Sequence, residues 1–219
     1  MRASADKEFM MQRKIRLAGG LGLSLLAIVA AMMSVAAQER GGGQRAGGAA
    51  GPAMTMTVAG LQDGGPFPVK NSQAAEGAAP GEGPSPAISW SNAPAGTQSF
   101  FLHMHDLDLA RNRTTDDQPH WVLWNIPATA TGLPEGVPKG NPRPDGSLQV
   151  SATGPVYRGP GAPATGPMHH YVFELYALDT KLDVQPTADA FETRANVLKA
   201  IQGHILAKAV YGGLFRRPQ

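Results

Sequence analysis

Five of the six histidines in this chain fall in two short stretches, each carrying further residues able to do chemistry. The first, residues 100–127, reads FFLHMHDLDLARNRTTDDQPHWVLWNIP. Asp106 and Asp108 close one apolar run, and His120-Trp121 opens the next. The second holds Gly159, Gly161, His169, His170 and Tyr171. Imidazole and phenol groups donate hydrogen bonds to an anion, with charge-assisted strength when the imidazole is protonated. Glycines let backbone N–H groups come close to a ligand. A carboxylate among them repels a bare dianion, yet it can fix a histidine tautomer or meet an ammonium group. Asp106, His120, Gly159, His169 and Tyr171 together therefore suit a phosphate or a zwitterionic phospho-head group. Taken singly, each histidine is more ordinarily a partner for a nearby backbone group. Their shared placement at strand ends beside Gly/Pro loops favours a pocket, if the two stretches meet.

Two rival chemistries rank lower. His103 and His105, at i and i+2, share a strand face and could chelate a metal, with His120, His169 or His170 completing the set. His-x-His arises often by chance, and no His-Glu-x-x-His accompanies it. No metal or other cofactor is therefore expected. Nucleophilic hydrolysis lacks a cysteine and a Gly-x-Ser-x-Gly elbow; Ser89, Ser91 and Ser99 sit in or beside predicted strands. A non-enzymatic protein is the expectation, with a His-based metal-dependent hydrolase as an alternative. Trp121 and Trp124 should point to opposite faces of their strand. Arg111, Arg113, Asp116 and Asp117 look like a solvated loop.

The elements that must position these groups are mostly strands. Alternation and strand-forming residues predict strands over 54–58, 85–90, 99–105, 120–126, 148–151, 171–178 and 204–214, with a short extended piece at 67–70. Residues 120–126 are apolar on both parities, as in a strand covered on both sides. Residues 128–147 are Gly/Pro-rich and irregular. One helix is expected late in the chain. Thr187 or Asp189 caps it, Glu192 stands where a capping box needs it, and Gly203 ends it. Phe191, Ala195, Leu198 and Ile201 form its apolar face. The fold class is mainly β, a sandwich with one helix packed on a sheet.

Composition sets the outer bounds. Residues 10–38 read as a secretory signal: Arg13, Lys14 and Arg16, then an apolar run, then small residues ending at Ala37. Residues 1–37 are thus expected to be a signal peptide or, if uncleaved, an N-terminal anchor. Residues 38–53 are a flexible Gly-rich linker and residues 54–219 one domain. No transmembrane segment is expected after processing, and the location is periplasmic or secreted. The absence of cysteine leaves stability to the core alone. A net charge of +2 without a Lys/Arg block argues against nucleic acid.

At these residues the sequence resembles the phosphatidylethanolamine-binding protein family, in its bacterial Raf-kinase-inhibitor-like branch. Ser85-Pro86 to Ser89-Trp90 is similar to the family's Ser-Pro-x-x-x-Trp. Asp106-Leu107-Asp108-Leu109-Ala110 stands where the family has Asp-Pro-Asp-Ala-Pro. The segment from His120 to Pro127 resembles its His-Trp-to-Pro strand, and Gly159-Pro160-Gly161-Ala162-Pro163 its Gly-Pro-x-x-Pro loop. His169-His170-Tyr171 replaces His-Arg-Tyr, and residues 203–207 are similar to the start of the family's last strand. The resemblance implies a β-sandwich with a preformed anion pocket lined by Asp106, His120, Gly159, His169 and Tyr171. Asp108 would support the loop from behind. It implies a binding protein for a small phosphorylated ligand or a phospholipid head group, which the signal-like residues 10–38 would make an exported one. An inhibitor or scaffold of another exported protein is the alternative. The kinase binding of eukaryotic relatives is not carried over. Leu107 and Ala110 replace two prolines, and His170 removes a guanidinium that could pair with a carboxylate.

Overall fold

The computed structural model describes residues 52–78 and 83–219. The predicted signal segment and most of the predicted linker lie outside them. Among the described residues, no helix is long and apolar enough to cross a membrane.

The chain opens with β1 (Thr55–Val58), β2 (Gly65–Pro66) and β3 (Ile88–Ser91). In β1 and β3 the alternation holds: Met56, Val58, Ile88 and Trp90 face inward, and Thr55 and Thr57 face out. The outward hydroxyls meet across the antiparallel pair, Thr55 Oγ1 to Ser91 Oγ at 2.8 Å and Thr57 Oγ1 to Ser89 Oγ at 2.7 Å. The expected extended piece at 67–70 is instead a turn of 3-10 helix, Val69–Asn71. The Asn71 side chain donates to the Pro84 carbonyl at 3.0 Å, an interaction that alternation does not announce.

β4 (Ser99–Asp106), β5 (Gln118–Pro127), β6 (Gly132–Leu133), β7 (Leu148–Val150) and β8 (His169–Leu178) follow, then α1 (Ala190–Ala200) and β9 (Ile205–Phe215). Two sheets result, ordered β1-β3-β6 and β2-β9-β8-β4-β5-β7. Every pairing is antiparallel except β2 with β9. β6 lies inside the stretch expected to be irregular; two residues are too few to carry a period, and it exists because β3 has a free edge there.

All eight residues of β4 are buried, because both faces are covered. Phe100, Leu102 and Met104 join the core between the sheets, while Phe101 packs with Val197 and Ile201 of α1 on the other side. Trp121 and Trp124 divide between the same two cores, as their spacing predicts. Neither borders the pocket described below.

Asp189 caps α1, its Oδ1 accepting from the Phe191 N–H at 2.8 Å. The capping box is replaced: the Asp189 N–H goes to the Thr187 hydroxyl at 3.2 Å rather than to Glu192. The buried face also differs from the expected one. Ala190, Thr193, Arg194, Val197 and Ile201 are buried, and Ala195 is exposed. The rotation follows from Arg194, whose guanidinium reaches inward to Asp116 and Asp117 at the entry to β5. Asp117 is therefore half-buried and paired, not part of a solvated loop.

Candidate ligand pocket

β4, β5 and β8 are neighbours, so the ends of the first and the starts of the other two meet at one rim of the large sheet. Asp106 pairs with Gln118 across one interface and with Tyr171 across the other. β8 begins at His169, two residues earlier than its apolar run, which places His169 and Tyr171 on one side of a strand with His170 opposite. β5 carries a bulge here. Met104 pairs with Trp121 but His105 with Pro119, leaving His120 as the extra residue. Bulges re-aim side chains. This one puts the His120 ring against Tyr171, edge to face, with centroids 5.1 Å apart.

Asp106, His120, His169 and Tyr171 thus come together around one cavity of about 350 Å³. Asp106 is almost fully buried and uses both oxygens: Oδ2 meets His169 Nδ1 at 2.8 Å, and Oδ1 accepts the Asp108 N–H at 3.0 Å. With its Nδ1 held by the carboxylate, His169 has Nε2 left for a ligand. The Asp108 carboxylate accepts from the His170 N–H at 2.6 Å and lies 3.0 Å from His170 Nδ1. Asp108 thereby ties the loop after β4 to β8, and an imidazole provides the partner that a guanidinium could have been.

His120 Nδ1 donates to the carbonyls of Arg158 at 2.8 Å and Gly159 at 3.1 Å, which assigns the proton to that nitrogen. Burial lowers its pKa to about 4, more than the two carbonyls raise it, so the ring is neutral at pH 7. The Tyr171 hydroxyl accepts from the Gly161 N–H at 3.2 Å and the Ala162 N–H at 3.1 Å. Burial pushes this phenol up, and the nearby Asp106 carboxylate adds to the shift, so it stays protonated.

The glycines do something other than expected. Gly161 spends its N–H on Tyr171 rather than offering it to a ligand. Gly159 is not among the cavity's lining residues; its carbonyl holds His120 and accepts from Gln73 Nε2 at 2.7 Å. A Cβ on Gly159 would lie 2.5 Å from the Asn71 carbonyl oxygen and 2.8 Å from Ser72 Cα. Close approach of two backbones requires glycine there.

Two arginines complete the lining, and sequence reasoning missed their part: Arg158, immediately before Gly159, and Arg111 in the loop after β4. Among the described residues neither side chain makes an ion pair, and the buried Arg158 Nε has no hydrogen-bond partner. Burial, followed by repulsion from Arg111, lowers the Arg158 pKa from its usual value. With Asp106 committed to His169 and Asp108, the cavity carries surplus positive charge.

The proposed metal set is divided by the sheet. His103 and His105 point to the α1 side of β4, away from His120 and His169, and His170 is exposed beside Asp108.

The fold is thus a β-sandwich with a helix on one sheet and a small polar cavity at the rim. A sequence profile described as phosphatidylethanolamine-binding protein matches residues 57–216, and the chain belongs to that family. A UPF0098 protein of Methanothermobacter thermautotrophicus is 43% identical over 139 residues, covering 63% of this chain and 85% of its own. The UPF0098 protein YbhB of Escherichia coli is 35% identical over 138 residues, covering 62% and 83%. The crystal structure of Escherichia coli YbcL, described as a new member of the mammalian PEBP family, superposes with a TM-score of 0.63. It is 27% identical and covers 75% of this chain and 99% of its own. A PEBP homolog from Chlamydia trachomatis gives 0.60 at 26% identity, covering 75% and 98%.

Proposed function

We propose that this protein is an exported, non-enzymatic binding protein whose rim pocket takes a phosphate-bearing or zwitterionic ligand such as a phospholipid head group. The observation that carries this reading is the pair of unneutralised arginines beside the Asp106–His169 pair. Arg158 and Arg111 both line the cavity without a carboxylate partner, so they attract a phosphate. His169, when protonated, adds a donor. Neutral His120, with Nδ1 committed to the backbone, presents an acceptor to a ligand's ammonium or P–OH group. Membership of a family named for phosphatidylethanolamine supports the choice of head group. The signal-like residues 10–38 support export to the periplasm or beyond.

Calorimetric titration with phosphoethanolamine tests the reading, using the wild type and His120→Ala. Saturable heat in the wild type that is weakened in the variant is expected. No heat in either, or equal heats in both, overturns it. Residues 128–147, the long irregular stretch that could have served a scaffold as an interaction loop, are stitched down. Gly132–Leu133 pairs with β3, and the Val137 N–H donates to Ser85 Oγ at 3.0 Å.

A further inference from the structure

We propose that His103, His105 and Asp117, with Glu174 alongside, bind a divalent transition-metal ion of the zinc class on the α1 side of the large sheet. The site is separate from the rim pocket, because alternation along β4 sends its side chains to the opposite face from Asp106.

One ligand atom from each of His103, His105 and Asp117 lies within 4.8 Å of the others. Around a tetrahedral ion at about 2.1 Å, donors stand roughly 3.4 Å apart, so small rotations close the set. The two imidazoles are now stacked, centroids 4.1 Å apart at 13°. Parallel rings cannot aim two lone pairs at one point, so an ion must splay them. A cavity of about 280 Å³, lined also by Thr115, Arg194 and Leu198, leaves room for that and for a water ligand.

The orphaned nitrogens point to a ligand. His103 is 3% exposed, yet both of its ring nitrogens lack a hydrogen-bond partner, as does His105 Nε2. A histidine serving only as core would satisfy at least its N–H, since a buried unpaired polar group is costly. His103 Nδ1 and His105 Nε2 each stand 3.8 Å from Glu174 Oε2, beyond hydrogen-bond range but close enough for one ion to lie between them.

The carboxylates are arranged as metal ligands usually are. Asp117 gives Oδ1 to Arg194 and holds Oδ2 in a hydrogen-bonded pair with His105 Nδ1, a contact that an ion would replace. Glu174 gives Oε1 to Lys208 and turns Oε2, which the Tyr176 hydroxyl also reaches at 2.8 Å, towards the imidazoles. Outer partners of this kind orient ligating oxygens and compensate their charge. Two imidazoles and a carboxylate, with a second carboxylate at hand, suit zinc, and cobalt substitutes for it.

The test strips full-length protein with a chelator and titrates Zn²⁺ by calorimetry and Co²⁺ by visible absorption. One equivalent of either ion, with d–d bands for cobalt, is expected. His103→Ala and Asp117→Asn should each weaken binding at least about 10-fold, whereas surface His204→Ala should not. Because His103 is buried and its replacement puts folding at risk, histidine ring ¹⁵N shifts in the wild type give a second readout. On adding zinc, those of His103 and His105 move and those of His120 and His169 do not. Absence of stoichiometric binding, or ring shifts confined to other histidines, overturns the proposal.

Discussion

Arg158 lies at the centre of the pocket's electrostatics, although in sequence it stands alone between Tyr157 and the Gly159-Pro160-Gly161 loop. A hydrogen bond to a charged group contributes about 1.5–3 kcal/mol, so Arg158→Gln should weaken phosphoethanolamine binding roughly 10- to 100-fold. Calorimetry checks this, and an unchanged affinity would place the ligand elsewhere. His120 makes a different prediction. Its folded pKa of about 4 lies below the unfolded value of 6.5, so the unfolded chain takes up the proton first. The resulting stability is complete above about pH 6.5 and is lost as pH falls towards 4. The shift corresponds to roughly 3 kcal/mol. Urea midpoints at pH 7 and pH 4.5 measure the loss, which should be smaller in His120→Gln because glutamine binds no proton.

At the scale of elements, the Gly159 loop is held between the 3-10 turn and the start of β5. Gly159→Ala forces its Cβ onto backbone atoms of Asn71 and Ser72, which cannot swing aside as a side-chain tip can. A cost of about 1–3 kcal/mol in urea unfolding is expected. Phosphoethanolamine affinity should fall with it, because the displaced carbonyl positions His120. Asp189→Ala should cost about 1 kcal/mol in the same assay while leaving ligand affinity intact, since the cap lies at α1 and not at the pocket.

The elements were also where the sequence was most and least informative. Alternation and double-sided apolarity located the strands that carry Asp106, His120 and His169, and the approximate span of α1. The bulge was hidden, because an extra residue looks like any other until its partner strand is known. The face of α1 was misjudged because a buried, paired Arg194 counts as polar in any hydrophobic pattern. The role of Arg158 was missed for a similar reason: a lone arginine beside a glycine does not reveal whether a carboxylate reaches it. Tertiary partners settle all three.

Over the whole molecule, two cores share the large sheet as a common wall. One side faces the small sheet and the other faces α1, so the protein holds together without any disulfide. If export proceeds as proposed, protein recovered from the exported fraction begins at Gln38 and contains 182 residues (219 − 37). Intact mass spectrometry decides this. A full-length chain confined to the membrane fraction would mean an anchored protein instead.

β4 carries Asp106 on one face and His103 and His105 on the other, within eight consecutive buried residues. Deleting a single codon inside that strand would exchange inward and outward positions beyond the gap, disabling the rim pocket and the imidazole pair in one stroke. Codon gains or losses in residues 112–114, outside any strand and clear of Arg111 and Asp116, escape that penalty. Drift in chain length among descendants of this gene should therefore collect in the loop and spare the strand.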